Sequence, residues 1–210
     1  MSGRYTEPDF AASALVTIDT QRDVLDGGAL EIPGTSAALG PMRRLAEEFR
    51  AVGRPIVHVV RLYEPDGSNV DLCRRHAVES GERLLRTGAP GTELASELLP
   101  EHGIALDCPL LLAGAAIYKP RWGAFYRTPL EDHLRAQAVS TLVFSGCNFP
   151  NCPRTSIYEA SERDFRIVLA RDAVSGLYER GERELDGIGV HLMSAAQVIA
   201  SLGVAMVSRR

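Results

Sequence analysis

The chain has 210 residues, enough for one large α/β domain with its own core, and we expect a single domain over residues 1–210. The net charge of −4, with both signs interspersed, excludes a basic surface for nucleic acid and a polybasic membrane segment. Four cysteines do not indicate a disulfide framework in a chain of this length, and the first residues do not resemble a secretory signal, so we expect a cytoplasmic protein with reduced thiols.

Apolar runs rich in β-branched residues alternate along the chain with helical patterns. The runs predict strands over residues 13–19, 55–63, 114–120, 140–146, 166–174 and 204–208. The helical patterns cover residues 36–53, 70–85, 128–139, 152–165 and 184–203, with Thr128 as the N-cap of the third helix. Strands separated by helices form parallel sheets that are covered on both faces. The sequence therefore predicts a three-layer α/β/α fold with a mostly parallel sheet of roughly six strands.

The sequence lacks the usual nucleotide-binding motifs. It has neither a G-x-G-x-x-G turn after the first strand nor a GK[ST] phosphate loop, and we therefore expect no cofactor. In an open parallel sheet, ligands bind beyond the carboxyl ends of the strands, so catalytic side chains are expected at that edge.

Three side chains follow strands at this edge: Asp19 after the first, Lys119 at the end of the third and Cys152 after the fourth. Lys119 is the only lysine in a chain with 22 arginines. A lysine can act as a compact point charge, which an arginine cannot do. Each residue also has a plainer interpretation, as a solvated turn aspartate, an exposed loop lysine or a small buried cysteine. Because all three fall at one rim of one sheet, we interpret them together as a catalytic site.

Cys152 directly precedes Pro153, and proline favours the first position of a helix, so Cys152 is the predicted N-cap. Unpaired N–H groups and the helix dipole stabilise a thiolate at that place, and a nearby Lys119 would act in the same direction. We therefore expect the pKa of the Cys152 thiol to lie below the value of about 8.5 that is usual for a free cysteine.

A second cysteine, Cys147, precedes Cys152 with four residues between them. A zinc site needs further cysteine or histidine ligands at short spacing, and a redox pair more usually has the spacing C-x-x-C. The sequence has neither pattern around these residues, so we expect no metal and interpret Cys147 as a packing residue at the end of a strand.

Three segments resemble the isochorismatase-like cysteine hydrolases, a family that includes nicotinamidases and N-carbamoylsarcosine amidase. The segments are VTIDTQRD, YKPRWGAFYRTPL and FSGCNFPNCPRTSIYEA, with the spacings K-x5-F-x2-T-x-L and G-x5-C. The resemblance covers nearly the whole chain and implies the isochorismatase-like hydrolase fold. We expect a small-molecule substrate, no nucleic-acid or membrane partner, and a homo-oligomer that is a dimer or a tetramer.

The chain departs from the family pattern at two places. Where the family commonly has Thr and an Asp or Asn, this chain has Phe149 and Pro150. Nicotinamidases carry an Asp-x-His metal motif after the second strand, a region where this chain has Arg61 and Tyr63, so a metal-dependent nicotinamidase is not expected. Some members that cleave a vinyl ether lack the cysteine, so the presence of Cys152 favours nucleophilic attack on a carbonyl.

The resemblance implies a hydrolase that cleaves an amide or carbamoyl C–N bond through a thioester at Cys152, with Asp19 and Lys119 completing the triad. It further implies that the backbone N–H groups of Asn148 and Cys152 hold the oxyanion, and that a cis peptide bond after Cys147 turns the first of them inward. An isochorismatase-type vinyl-ether hydrolase and a catalytically idle, ligand-binding family member remain alternatives.

Residues near the triad are candidates for contact with the substrate, and the aromatic ones are equally well placed for the core. The candidates are Gln21, Tyr63, Trp122, Phe125 and Phe149, with Arg61 and Arg121 as further sources of polar contacts.

Overall fold

The computed structural model describes residues 3–82, 84–99 and 115–207. Gly114 and Ser208, at the ends of two predicted strands, lie outside the described residues. The strands are β1 (Ser13–Ile18), β2 (Ile56–Arg61), β3 (Ala115–Lys119), β4 (Thr141–Gly146), β5 (Arg166–Val174) and β6 (His191–Met193). The α-helices are α1 (Thr35–Ala51), α2 (Leu72–Glu79), α3 (Leu130–Ala136), α4 (Cys152–Ser161), α5 (Glu179–Gly187) and α6 (Ala195–Val207).

The six strands form one sheet in the order β3-β2-β1-β4-β5-β6, and every neighbouring pair is parallel. In this register Ile18 pairs with both Val59 and Gly146, and Arg61 pairs with Lys119. The ends of β1 to β4 therefore lie at one edge, and the predicted six-stranded α/β fold is confirmed.

Helices cover both faces of the sheet because the central strands are apolar on both sides. Val16 and Ile18 of β1 pack in a cluster with residues of α3, α4 and α5. Leu15, which points to the other face, packs with residues of α1 and α6, including Phe49 and Val198. All residues of β1, β2 and β4 are buried, as expected for parallel strands between two helical layers.

The C-terminal part of the chain differs from its prediction. The segment predicted as one helix over residues 184–203 contains the end of α5, the short strand β6 and most of α6. Gly189 adopts a φ of 81° after α5 and turns the chain into β6, which pairs with β5 through Val168 and His191. The predicted strand over residues 204–208 was wrong, because residues 204–207 continue α6, whose apolar residues pack on the sheet.

Three other helices are several residues shorter than predicted: α2 covers Leu72–Glu79, α3 covers Leu130–Ala136 and α4 covers Cys152–Ser161. Pro129, and not Thr128, is the N-cap residue of α3, although the Thr128 hydroxyl still accepts a hydrogen bond from the N–H of Leu130 at 3.4 Å. Within residues 3–82, 84–99 and 115–207, no helix has the length and apolar character that crossing a membrane requires.

His58 is a buried histidine in the middle of β2. Its Nδ1 lies 2.7 Å from the hydroxyl of Thr17, its register partner on β1. Its Nε2 has no hydrogen-bond partner among the described residues. Burial lowers the pKa of His58 from 6.5 to about 3, so the ring is neutral in the folded protein.

We expect the free energy of unfolding to fall as the pH is lowered from about 6.5 toward 3, because the unfolded chain then binds a proton that folded His58 does not accept. The loss should reach about 2 kcal/mol at pH 5. His58→Asn retains a group that can bond to Thr17 but does not titrate. In this variant the free energy of unfolding, measured by urea denaturation, should therefore depend less on pH between pH 5 and 8. The exposed His76, changed to Asn, is the matched control. An identical pH slope in wild type and His58→Asn would contradict the prediction.

Candidate active site

Two charged side chains that end strands β1 and β3 meet at the carboxyl edge of the sheet. Asp19 directly follows β1, and Lys119 is the last residue of β3. The Lys119 Nζ donates a hydrogen bond to Asp19 Oδ2 at 2.8 Å, with side-chain exposures of 0% and 8%. Burying a charge is costly unless it is paired. The contact is therefore a buried ion pair, and neither residue is the solvated turn or loop residue of the plainer interpretation.

The backbone at the ends of β1 and β4 is closely packed. Asp19 has a φ of 49°, in the left-handed region that is uncommon outside glycine. Gly146 has a φ of 118°, and a Cβ at this position would lie 2.1 Å from the carbonyl oxygen of Ile18. The thiol of Cys147 donates to the carbonyl of Asp19 at 3.1 Å. Only glycine fits at the end of β4, and Cys147 is a buried residue at the strand end.

The loop that follows Lys119 is fixed to helix α4. The N–H of Ala124 donates to Ser156 Oγ at 3.0 Å, and the N–H of Phe125 donates to Glu159 Oε2 at 2.9 Å. A Cβ on Gly123 would lie 2.2 Å from the Glu159 carboxylate, so a larger residue there would require this carboxylate to move. Because α4 begins at the predicted nucleophile, these contacts fix the lysine loop relative to that nucleophile.

Cys152 is the first residue of α4, one position further into the helix than predicted, and Asn151 is the N-cap residue. The cysteine is buried, with 5% exposure. Burial raises the pKa of its thiol and the charge of Asp19 raises it further, whereas the charges of Lys119 and Arg61 act in the opposite direction. The net shift is upward, so the expectation of a lowered pKa was wrong. The resting thiol is protonated, and a base must remove its proton before attack.

The second carboxylate oxygen of Asp19 is available for this task. Asp19 Oδ1 is buried and has no hydrogen-bond partner in the described part of the chain, while Lys119 holds Oδ2. A carboxylate with one oxygen fixed and the other unpaired can accept a proton in a defined direction. The charge of Asp19 acts on the thiol of Cys152, so the arrangement can move the thiol proton to Asp19.

The arginine that ends β2 also reaches the thiol, a contact that was not predicted. Arg61 Nη2 donates to Cys152 Sγ at 3.3 Å and to the carbonyl of Arg121 at 2.8 Å. Arg61 Nη1 donates to the hydroxyl of Tyr63 at 3.0 Å and to Asp71 Oδ2 at 2.8 Å. The guanidinium group therefore connects the Cys152 thiol to a buried carboxylate, Asp71, that the motifs did not single out.

The position of Arg61 in its strand is the signal that could have identified it. Like Lys119, with which it is in register, Arg61 is a cation at the end of an apolar buried strand. Such a charged side chain is costly to bury unless an opposite charge lies next to it. The sequence provided its partner, Asp71, ten residues further along the chain.

Asp71, which directly precedes α2, collects four hydrogen bonds. Its carboxylate accepts from Arg61, from Tyr63 at 2.9 Å, from Arg74 at 2.9 Å and from the Cys73 thiol at 3.0 Å. Burial opposes the charge of Asp71, but the hydrogen bonds from Cys73 and Tyr63 and the two arginine charges outweigh it and hold its pKa below the ordinary value. Asp71 is therefore a permanent counter-ion for Arg61.

Two of the predicted substrate contacts lie beside this group. The hydroxyl of Tyr63 bonds to Arg61 and Asp71, and the residue is almost fully buried. Trp122 is half-buried, and the guanidinium groups of Arg61 and Arg74 lie 5.0 Å and 4.3 Å from its ring centroid. Both aromatic residues thus surround the guanidinium that contacts the thiol.

Gln21, predicted to orient a substrate or the surroundings of the nucleophile, binds backbone groups near Arg61. Its Nε2 donates to the carbonyls of Arg61 at 3.0 Å and Thr92 at 2.9 Å, and its Oε1 accepts from the N–H of Arg61 at 2.9 Å. The side chain is fully buried. Because the backbone uses both amide donors and the acceptor, the contacts favour a role in positioning Arg61 over direct contact with the substrate.

Phe125 and Phe149 are buried and pack in the core. The ring of Phe149 stacks edge-on against Tyr178 at 5.4 Å, and a Cβ on Gly181 would lie 2.4 Å from it. The ring centroid of Phe125 lies 6.0 Å from that of Phe165. Both rings belong to the buried cluster on the α3–α5 face, in line with the alternative interpretation of these residues as core, and their contact with a substrate stays a prediction.

The predicted oxyanion donors are the N–H groups of Asn148 and Cys152 in the turn between β4 and α4. In the described residues neither group has an acceptor, whereas the N–H of Phe149 donates to Ser175 at 2.8 Å. Residues 3–82, 84–99 and 115–207 contain no cis peptide bond, so the peptide after Cys147 is trans and the expected cis bond was wrong.

No group of three or more His, Cys, Asp or Glu side chains in the described ranges is arranged to hold a metal ion. In the region where nicotinamidases carry their metal motif, the buried charge at the end of β2 belongs to Arg61. A second cation next to this guanidinium would be repelled, so these residues do not fit a divalent metal.

The three-layer α/β fold brings a carboxylate, an ammonium group and a buried thiol together at the carboxyl edge of its sheet. This arrangement defines the class of protein: an α/β enzyme with a cysteine in its site. Comparison with known sequences then gives the family. Residues 13–196 match the sequence model of the Isochorismatase domain. The chain therefore belongs to the isochorismatase family and is a hydrolase, which confirms the resemblance drawn from its motifs.

Relatives and solved structures agree with this assignment. The chain is 30% identical over 182 residues to the ureidoacrylate amidohydrolase RutB of Methylorubrum extorquens, covering 77% of this chain and 69% of that protein. It is 29% identical over 167 residues to the probable inactive nicotinamidase At3g16190 of Arabidopsis thaliana, covering 78% and 80%. An isochorismatase family protein from Desulfovibrio vulgaris gives a TM-score of 0.81 at 29% identity, over 91% of this chain and 98% of that one. The N-carbamoylsarcosine amidase of Thermoplasma acidophilum gives 0.70 at 26% identity, over 87% and 96%.

Asp19→Asn tests the electrostatic link between Asp19 and the thiol. The change removes the negative charge that raises the pKa of Cys152, so we expect alkylation of Cys152 by iodoacetamide at pH 8 to become at least about threefold faster. Turnover should fall in the same variant, because an amide cannot accept the thiol proton. Peptide mass spectrometry reads the alkylation, and Asp66→Asn at the surface is the matched control. Slower alkylation in Asp19→Asn would contradict the assignment.

Proposed function

We propose that this protein is a cysteine hydrolase that cleaves an amide or carbamoyl C–N bond of a small molecule, with Asp19, Lys119 and Cys152 as its catalytic triad. One observation carries the proposal: Lys119 holds one oxygen of Asp19, and the other oxygen is unpaired beside a buried thiol at the start of α4. Membership of the isochorismatase family supports hydrolysis, and the relatives named as amidohydrolases support a C–N bond.

The first half of the reaction forms a thioester. Asp19 Oδ1 accepts the proton of Cys152 Sγ as the sulfur attacks the carbonyl carbon of the substrate. The N–H of Cys152, which has no acceptor in the described residues, donates to the oxyanion, and one such donor is typically worth about 2.7–4 kcal/mol of transition-state stabilisation. Asp19 then gives its proton to the leaving nitrogen, the C–N bond breaks and the amine departs.

The second half of the reaction releases the acid. Water attacks the thioester carbon while Asp19 accepts a proton from that water. The C–S bond breaks, and the proton on Asp19 returns to the sulfur, which restores the buried thiol. Lys119 holds Asp19 Oδ2 in place throughout, so that the same oxygen faces the reacting atoms in both halves.

A substrate screen tests the proposal. Primary amides, carbamoyl compounds and isochorismate are assayed with wild type, Cys152→Ala and the thiol control Cys73→Ser, which keeps a donor for Asp71. We expect release of ammonia or amine from a member of the first two groups, loss of that activity in Cys152→Ala, and activity close to wild type in Cys73→Ser.

Other outcomes of the screen separate the alternatives. Cleavage of isochorismate alone would favour vinyl-ether chemistry, and ligand binding without turnover across the panel would favour an idle member. The proposal includes no resident metal, so the assays are run after dialysis against a chelator. Activity that returns only with added zinc or iron would contradict this part of it.

Lys119→Arg separates the charge of the lysine from its shape. The Nζ of Lys119 donates both to Asp19 and to the Arg121 carbonyl, at 3.1 Å, in a position without solvent access. A planar guanidinium is larger and would displace its neighbours, and small misplacements of catalytic groups can cost on the order of 100-fold. We expect turnover to fall at least about 100-fold in Lys119→Arg.

The neutral and nearly isosteric Lys119→Met is the companion variant, and the thermal midpoint of each variant is measured to show that it is folded. Near wild-type turnover in Lys119→Arg, with loss in Lys119→Met, would show that positive charge alone is sufficient.

A further inference from the structure

Arg61 contacts the nucleophile and is not part of the triad. Its side chain is 2% exposed, and its two terminal nitrogens donate in different directions. Nη1 is held by Tyr63 and Asp71, while Nη2 lies against Cys152 Sγ and the Arg121 carbonyl. One end of the guanidinium is thus anchored, and the other faces the reacting sulfur.

The neighbouring elements leave an excess of positive charge at this place. The cations that face the group are Arg61 itself, Lys119 and Arg74, and the carboxylates are Asp19 and Asp71. The other titratable groups there, the thiols of Cys147 and Cys152 and the Tyr63 hydroxyl, are neutral when protonated. These groups therefore carry one positive charge more than negative charges, and the excess is unchanged when the thiol proton moves to Asp19, because the negative charge then moves from Asp19 to the sulfur.

In the described residues Lys119 does not donate a hydrogen bond to the sulfur of Cys152. Its Nζ donates to Asp19 Oδ2 at 2.8 Å and to the Arg121 carbonyl at 3.1 Å. When the thiol proton moves to Asp19, the negative charge moves to the sulfur, and the donor that contacts this sulfur directly is Arg61 Nη2. A charge-assisted hydrogen bond in a water-poor site is stronger than a neutral one.

We propose that Arg61 is a fourth catalytic residue, which stabilises the Cys152 thiolate by a hydrogen bond from Nη2 to Sγ. This inference rests on the proposed role of Cys152 as nucleophile. The proton passes from Sγ to Asp19 Oδ1, and Arg61 neither gains nor loses a proton. When the C–S bond of the thioester breaks, the departing thiolate is stabilised by the same donor.

The protonation of Arg61 agrees with this role. Burial opposes the charge of its guanidinium, but the charges of the Asp19 carboxylate and of Cys152 in its ionised form outweigh that effect and raise the pKa of Arg61 above the ordinary value. Arg61 therefore stays charged over the whole working pH range. Gln21 fixes the backbone of Arg61 from the opposite side, through two hydrogen bonds to its N–H and carbonyl.

Alkylation of Cys152 by iodoacetamide, read by peptide mass spectrometry from pH 6 to 10, tests the inference without any substrate. We expect Arg61→Gln to slow the alkylation at pH 8 at least about tenfold and to move the pH profile upward, because the thiolate loses its donor. Arg74→Gln is the matched control. Arg74 bonds to the same Asp71 and lies over the same Trp122 ring, but has no contact with the sulfur in the described residues. Its alkylation profile should stay within about threefold of wild type.

Removing Arg61 alone leaves the buried Asp71 carboxylate with fewer hydrogen-bond partners, which is expected to destabilise the fold. A second variant therefore removes the carboxylate charge as well. Arg61→Met combined with Asp71→Asn removes both members of the buried pair, and neutral replacement of a whole pair is often tolerated. We expect the same slowing of alkylation in this double variant, with the thermal midpoint as the measure of folding.

Alkylation of the folded double variant within about threefold of wild type would overturn the inference, as would an equal slowing in Arg74→Gln. The proposed function is judged separately by Cys152→Ala. If Cys152→Ala is inactive while Arg61→Gln is alkylated like wild type, the triad stands and the role of Arg61 falls.

Discussion

The buried ion pair between Lys119 and Asp19 is the interaction on which the site depends. Its two members come from β3 and β1, on either side of β2, so the pair can form only when the central strands are in register. Each charge would be costly to bury alone, and the pairing reduces that cost. The pair also leaves Asp19 Oδ1 without a partner, which is the property that a proton acceptor needs. This one contact therefore depends on the register of the strands and also prepares Asp19 for its proposed role as proton acceptor.

The state of the thiol follows from burial more than from helix position. A cysteine at a helix start is expected to be acidic, yet at Cys152 burial and the charge of Asp19 outweigh Lys119 and Arg61. A protonated thiol is a weak nucleophile until its proton is removed. The geometry thus favours activation by Asp19 at the moment of attack over a thiolate that is present at rest. The burial of the side chain and the charges around it cannot be read from the sequence, and they reversed the expected direction of the pKa shift.

The main parts of the fold and the site were predictable from the sequence because parallel strands end at a common edge. This rule brought Asp19, Lys119 and Cys152 to one rim, and the structure places them there. Side-chain direction was not predictable. Phe149 is three residues from Cys152, but its ring turns toward Gly181 of α5 and packs in the core. The C-terminal strand was misplaced because three residues, His191–Met193, are too few to give a periodic pattern.

Arg61 shows how a departure from a family pattern can carry information. Where the resemblance would have placed metal ligands, this chain buries a guanidinium with its counter-ion Asp71. A metal ion supplies positive charge that can be lost and that accepts ligands from several directions. A guanidinium supplies a permanent charge whose hydrogen bonds are fixed in one plane. In that plane Arg61 reaches both Cys152 Sγ and the Arg121 carbonyl that also accepts from Lys119. The two cations thus share one backbone carbonyl, so a shift of the loop at Arg121 would move both of the charges that act on the thiol.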